Sequence, residues 1–365
     1  MLRPVHALAL AAALLSPLAV HAEQPTETRV TDSTREEVIE ALGTALQENY
    51  VFPEVAESLS AELENRLQSG AYDSNTTATD FAKMLTLDMR TIGKDGHFGV
   101  RYDPDFVPEG PGADGLPDEA EIAEMRRMVA RHAYGLQRID RLPGNIGYLD
   151  IRGFDEPYYV ANAYEAAMTL LAGSDAIIID LRSNGGGDPA SVALLMSHFF
   201  PVGTELLVNS IYDRTDDTTR QFWIDAAVET RFAGPVYVLT SSRTFSGGEE
   251  FAYDMKTHER GRLIGETTGG GANPGGTVPI AHGFVAFIPT GRAINPVTGT
   301  NWEGVGVAPD LQVPAGDALR VAYAQALETA RSASDDDRRK RQLSAIIEAA
   351  ANGEIVLPDW TAPKR

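Results

Sequence analysis

The chain has no cysteine. That excludes disulfide frameworks, thiolate zinc sites, iron–sulfur clusters, cysteine nucleophiles and lipid attachment at an N-terminal cysteine. Cationic residues are scarce: 31 Lys and Arg stand against 52 Asp and Glu, a net charge of −21. A nucleic-acid partner is not expected, because phosphate-backbone binding needs clustered cations that release counterions. An anionic bilayer surface would repel the same composition. Long hydrophobic runs are missing too, and the one apolar stretch near the N-terminus is too short for about 30 Å of hydrocarbon.

That stretch has another use. Arg3, the run Ala7–Leu15, Pro17 and the ending Val20-His21-Ala22 are the parts of a secretory signal peptide. Residues 1–22 are predicted to be removed after Ala22, with no membrane insertion afterwards and a periplasmic or secreted product. The 365 residues, 43% of them hydrophobic, leave ample material for a packed core.

Residues 23–102 read as a helical domain. Ser33 with Glu36 forms a capping-box pattern, and Val38, Ile39, Leu42 and Leu46 follow at helical spacing. A second stripe carries Val55, Leu59, Leu63 and Leu67 and stops at Gly70. A third carries Phe81, Met84, Leu85, Met89 and Ile92. Residues 103–118, rich in Pro, Gly and Asp, are a linker, with a lid over a cleft as the alternative. From 119 to 315 strand and helix alternate. The short apolar runs Ala176–Asp180 and Val236–Thr240 are typical of strands buried on both faces, and the alternation argues for a parallel-rich α/β core. Residues 316–365 form a helical, charged tail expected to be solvated.

Two strand-to-helix junctions stand out. Asp180-Leu181-Arg182-Ser183-Asn184-Gly185-Gly186-Gly187 ends in three glycines, whose backbone can adopt positive φ and approach another group closely. It lacks the Lys-Ser/Thr of a phosphate-binding loop and the spacing of a dinucleotide fingerprint. Thr244-Phe245-Ser246-Gly247-Gly248-Glu249 puts Ser246 at the head of a helix, with the N–H of Gly247 beside it. That geometry suits a nucleophile whose oxyanion meets a main-chain donor. Ser246 with Glu249 is equally a capping box, and the two readings are compatible. A serine needs a base. Five histidines follow the signal segment. His198 and His258 fall on helices, whereas His97 lies in the turn Asp95-Gly96-His97-Phe98-Gly99.

These motifs, with Gly147-Tyr148-Leu149-Asp150-Ile151-Arg152, Gly265–Gly271 and Trp302-Glu303-Gly304, occur in an order that resembles the S41 family of serine peptidases. The branch it resembles is the one related to interphotoreceptor retinoid-binding protein and the tricorn core protease. The resemblance spans roughly residues 30–315. It implies an α/β fold with a ClpP/crotonase-like core of ββα units, preceded by a small helical domain. It further implies peptide-bond hydrolysis through a serine acyl-enzyme. Carried over by motif, Ser246 matches the nucleophile, His97 the base and Glu303 the carboxylate of the relay, with oxyanion N–H groups from Gly247 and Gly186. The substrate would be a peptide or unfolded protein, and no metal or organic cofactor is needed.

Three departures qualify the carry-over. Gly271 stands where the tail-specific branch has the lysine of its Ser–Lys dyad. Gly96 stands where the tricorn-like pattern has a serine, which leaves open whether Glu303 reaches His97 directly. The stretch from Val100 to Gly147 is too short for an inserted PDZ domain. Two other classes compete: a non-catalytic carrier of apolar ligands on the same scaffold, and an acyl-thioester enzyme sharing the core geometry. The trio Ser246, His97 and Glu303 favours the peptidase over the carrier, and export disfavours the thioester enzyme.

Overall fold

The structure, a computed structural model, describes residues 28–108 and 118–361. The signal segment and most of the 103–118 linker lie outside them. Three helices open the chain: α1 (Asp32–Asn49), α2 (Pro53–Gln68) and α3 (Ala78–Gly93). The cap of α1 is Thr31, whose side chain accepts the Thr34 N–H at 3.1 Å, so the expected Ser33 cap is two residues late. The apolar stripes do face inward, with Leu42, Leu46, Leu59, Leu63, Phe81 and Leu85 fully buried. Each such side chain contributes about 1.5–3 kcal/mol by leaving water.

This unit is not closed on itself. Strand β1 (Gly99–Tyr102) follows α3 and pairs antiparallel with a strand nearly 200 residues on. Phe284, Ala286 and Ile288 of that later strand belong to the same buried cluster as the three helices. The segment 94–98, which carries His97, is therefore held between α3 and a strand pinned to the rest of the molecule.

After α4 (Glu119–Arg131) come β2 (Leu136–Leu142), β3 (Ile146–Ile151), α5 (Pro157–Leu171), β4 (Ala176–Asp180), α6 (Pro189–Ser197), β5 (Leu207–Asp213) and β6 (Thr218–Trp223). The chain continues with β7 (Val236–Thr240), α7 (Gly247–Thr257), β8 (Arg262–Gly265), β9 (Gly275–Pro279), β10 (Phe284–Pro289), β11 (Gly291–Ile294) and β12 (Leu311–Gln312), then α8 (Ala315–Ala333) and α9 (Asp337–Ala351). The main sheet has the order β12-β8-β7-β4-β3-β2, with β2 its one antiparallel member. Every residue of β4 and β7 is buried, as strands covered on both faces must be.

Side chains of α5, α6 and α7, among them Val160, Met168, Leu195 and Phe251, cover one face. Leu319, Tyr323 and Leu327 of α8, with Leu343 of α9, cover the other. The tail is thus a structural layer of the core. The stretch Asp335–Arg338 is solvated as expected, as are Ala351–Glu354. Two three-stranded sheets, β1-β10-β9 and β11-β5-β6, flank the main one. Among the described residues no helix is long and apolar enough to cross a membrane.

Candidate active site

In an α/β sheet, ligands bind beyond the carboxyl ends of the parallel strands, and both glycine-bearing junctions lie there. Beyond β4, Asp180 and Arg182 form a buried bidentate pair, with Arg182 Nη2 to Asp180 Oδ2 at 2.5 Å and Nε to Oδ1 at 2.9 Å. The Tyr148 hydroxyl donates to the same carboxylate at 2.7 Å. Asn184 reaches back to the Ile151 carbonyl at 3.1 Å. The Phe154 N–H donates to the Gly186 carbonyl at 3.0 Å, and the Asp188 N–H to the Phe154 carbonyl at 2.7 Å. These bonds fix a path through Gly186 (φ 105°) and Gly187 (φ 138°) that a side chain could not follow.

Beyond β7, Ser246 begins α7 with φ 51° and ψ −123°, a strained conformation for a residue with a Cβ. Such outliers persist where the surroundings over-determine them, as at nucleophile elbows. Here the determinant is Glu249, fully buried. Its Oε2 accepts the N–H of Ser246 at 2.9 Å and of Gly271 at 2.8 Å, and its Oε1 accepts the N–H of Gly270 at 2.6 Å and the Thr268 hydroxyl. The Glu249 N–H is taken by the Ser246 carbonyl at 2.8 Å, so that donor does not require the hydroxyl. Burial raises the Glu249 carboxyl, and the four donors oppose that rise.

The N–H of Gly247 makes no hydrogen bond among the described residues, as fits the first residue of a helix. Gly186 was the expected second donor, but its N–H is committed to Asn184 Oδ1 at 2.8 Å. The N–H of Gly187 is the one without a partner among the described residues. Gly187 packs against Gly247: a Cβ on Gly247 would come within 3.1 Å of the Gly187 nitrogen. Gly187, Ser246 and Gly247 line one cleft, and Gly186 does not. Three consecutive glycines offered no means of ranking these N–H groups before the path of the loop was known.

His97 comes from the other unit. Its ring rests on Phe245, the neighbour of Ser246, with centroids 4.6 Å apart. The side chain is about nine-tenths buried, and neither ring nitrogen makes a hydrogen bond among the described residues. A Cβ at position 271 would lie 2.2 Å from Phe245 Cζ and 2.7 Å from His97 Cε1. A lysine there is incompatible with this imidazole. Lys256 pairs instead with Asp310 Oδ1 at 3.2 Å. His198 is a packing residue, its Nδ1 2.8 Å from the Thr230 carbonyl oxygen.

Glu303 arrives on a turn docked to the glycine run. Trp302 Nε1–H donates to the Gly271 carbonyl at 2.7 Å and the Gly304 N–H to the Gly270 carbonyl at 2.9 Å. Glu303 Oε2 accepts the Ala272 N–H at 2.5 Å, and Oε1 has no partner among the described residues. Burial, reinforced by the negative charge of Asp95, pushes its carboxyl up to about 8. One ligand atom from each of Asp95, His97 and Glu303 lies within 4.8 Å of the other two. Glu303 and His97 are thus neighbours without a hydrogen bond between them.

Asp95 was not anticipated as a site residue. It is 1% exposed and receives the His97 N–H at 2.9 Å, Asn273 Nδ2–H at 2.9 Å and the Tyr50 hydroxyl at 3.2 Å. The signal for it was the Asp-x-His spacing, which lets a carboxylate accept the N–H two residues on. Two carboxylates and an imidazole are also cation ligands in kind. The Asp95 oxygens are already engaged by three donors, which leaves them fewer lone pairs for a cation.

Two family models match this chain. The model described as peptidase family S41 matches residues 145–313, and that of the N-terminal domain of peptidase S41 in eukaryotic IRBP matches residues 30–131. The tail-specific protease of Haemophilus influenzae is 31% identical over 102 residues, 27% of this chain; the match spans only 13% of that protein's length. A putative peptidase from Parabacteroides merdae has the same fold, with a TM-score of 0.56 at 18% identity over 82% of this chain and 99% of its own. So does mature CPAF complexed with lactacystin, at 0.54 and 11% over 87% and 99%. The tricorn protease follows at 0.50 and 16% over 87% of this chain and 37% of its own. The two models together take in most of the chain, including His97, Ser246 and Glu303, and the chain belongs to peptidase family S41, a family of serine-type peptidases.

Proposed function

We propose that this protein is an exported peptidase that cleaves peptides or unfolded segments through an acyl-enzyme on Ser246. The observation that carries the proposal is the strained Ser246 at the head of α7, beside two main-chain N–H groups, those of Gly187 and Gly247, that have no partner among the described residues. In this reading His97 takes the Ser246 proton as Oγ attacks the peptide carbonyl. The oxyanion forms against Gly187 and Gly247, and His97 then protonates the leaving amine. Water repeats the sequence to release the acyl group. Asp95 orients the imidazole through the 2.9 Å bond to its backbone and its position beside Nδ1, while Glu303 offers a second carboxyl within 4.8 Å. Export rests on the N-terminal segment 1–22 alone.

The cleft beside Ser246 has a volume of about 60 Å³, far below the roughly 300 Å³ at which ligand pockets begin. That disfavours carriage of a bulky apolar ligand in this cleft. The test is hydrolysis of an unfolded protein substrate by the wild type and by Ser246→Ala. Loss of a nucleophile costs about 10⁴-fold or more in turnover, and an unchanged rate in the variant would refute the assignment.

A further inference from the structure

The cleft beside Ser246 has largely apolar walls, with contributions from Pro189, Ile211, Ala272, Ala293 and Trp302. One ionisable side chain lines it. Glu250 lies four residues beyond Ser246 on α7, on the same helix face and one turn deeper. It is 3% exposed, and its Oε1 makes no hydrogen bond. Asp254 sits a further turn along, fully buried, with Oδ1 accepting from Asn295 Nδ2 at 2.8 Å and Oδ2 unpartnered. Among the described residues neither carboxyl is paired with a cation. Burial pushes the Glu250 carboxyl up to about 8 and raises Asp254 as well. An unsatisfied buried polar atom costs about 1–3 kcal/mol. The Asn209 side-chain amide opposes the rise at Glu250, and its own Nδ2 has no hydrogen bond among the described residues.

We propose that Glu250 is a specificity-determining residue, reading the substrate side chain that precedes the scissile bond and selecting a short hydroxyl or amide: Ser, Thr or Asn. This rests on Ser246 being the nucleophile. The size limit follows from the volume. At about 60 Å³ the cleft suits a short side chain better than Lys, Arg or an aromatic ring. The chemistry follows from the carboxyl group, the ionisable group on the cleft wall. A carboxyl oxygen accepts a hydrogen bond when ionised and can donate one when protonated, and hydroxyls and amides answer both states.

The experiment compares peptides differing only at that position in isosteric pairs, Thr against Val and Asn against Leu. The wild type should favour Thr and Asn by about tenfold or more in kcat/KM, since each pair differs by a buried hydrogen bond. Glu250→Leu should abolish or invert the preference, and Glu250→Gln, which keeps donor and acceptor, should retain it. Equal turnover of Thr and Val by the wild type, or a preference that survives Glu250→Leu, would overturn the proposal. Labelling of Ser246 by a fluorophosphonate, run alongside, separates this failure from failure of the nucleophile assignment. Calorimetric affinities of the wild type for product acids ending in Thr and in Val read the cleft without turnover. They also keep the test intact if Glu250→Leu does not fold, because equal affinities overturn the proposal on their own.

Discussion

Asp95 and His97 meet twice over a single oxygen: Asp95 Oδ1 accepts the His97 main-chain N–H at 2.9 Å and stands 3.6 Å from the ring Nδ1. One carboxylate therefore sets both the backbone path and the face the imidazole presents. Asp95→Asn keeps the shape but can turn its amide N–H toward the ring. It should lower kcat by about 10²-fold or more with KM little changed. Steady-state kinetics decide this, and a pure KM effect would remove Asp95 from the catalytic account.

Glu303 makes a prediction about stability rather than rate. Its carboxyl is raised from 4.5 to about 8, with burial the largest cause and Asp95 the next. Between these values the folded chain holds a proton that the unfolded chain has lost, so stability falls as pH rises. The contribution is complete below about 4.5 and gone above about 8. Glu303→Gln removes this dependence. Its melting temperature should gain on the wild type from about pH 5 to about pH 8. Glu250, raised in the same direction, is present in both proteins and cancels. Parallel melting curves would contradict the assignment.

The glycines of the β4–α6 loop should differ sharply. A Cβ on Gly187 would lie 2.0 Å from the Phe154 carbonyl oxygen, which the loop itself uses to bind the Asp188 N–H. Gly187→Ala must move the backbone, and displacing one oxyanion donor costs about 10²–10³ in kcat. A Cβ on Gly185 meets nothing within 4 Å, so Gly185→Ala should stay close to wild type. Comparable activities for the two variants would argue against Gly187 as a donor.

The Arg182–Asp180 pair, each partner about 1% exposed, braces that loop from beneath, and Arg182 also donates to the Ala315 carbonyl at 2.7 Å. Arg182→Ala strands a buried carboxylate and should destabilise the fold by about 3–5 kcal/mol. Denaturant unfolding measures this, and a loss below about 1 kcal/mol would show that Asp180 is otherwise solvated.

The elements read most directly from sequence were those whose own residues determine them. β4 and β7 are continuous apolar runs, and α6 and α7 start where glycine-bearing junctions end. The segments Leu207–Asp213 and Thr218–Trp223 were not recognised as strands because Asn, Ser, Thr, Arg and Gln interrupt any alternation. Their pairing, like that of β1 with β10, is made by partners distant in the chain. The inward face of α8 was hidden by the charges around it, since Ala318, Ala322 and Ala326 carry little apolar weight individually. Within the site, Ser246 and His97 were visible as motif residues. Asp95 and Glu250 are placed beside His97 and Ser246 by the fold, and which glycine N–H of the 185–187 loop lacks a partner depends on the path of that loop in three dimensions.

Activation of Ser246 for attack is read most plainly from the site of covalent modification. After exposure of the folded protein to a fluorophosphonate, peptide mass spectrometry should find the adduct on Ser246 alone, formed far more slowly in His97→Ala and not at all in Ser246→Ala. An unmodified Ser246 under conditions that leave the protein folded, or labelling at an undiminished rate without His97, would contradict the account.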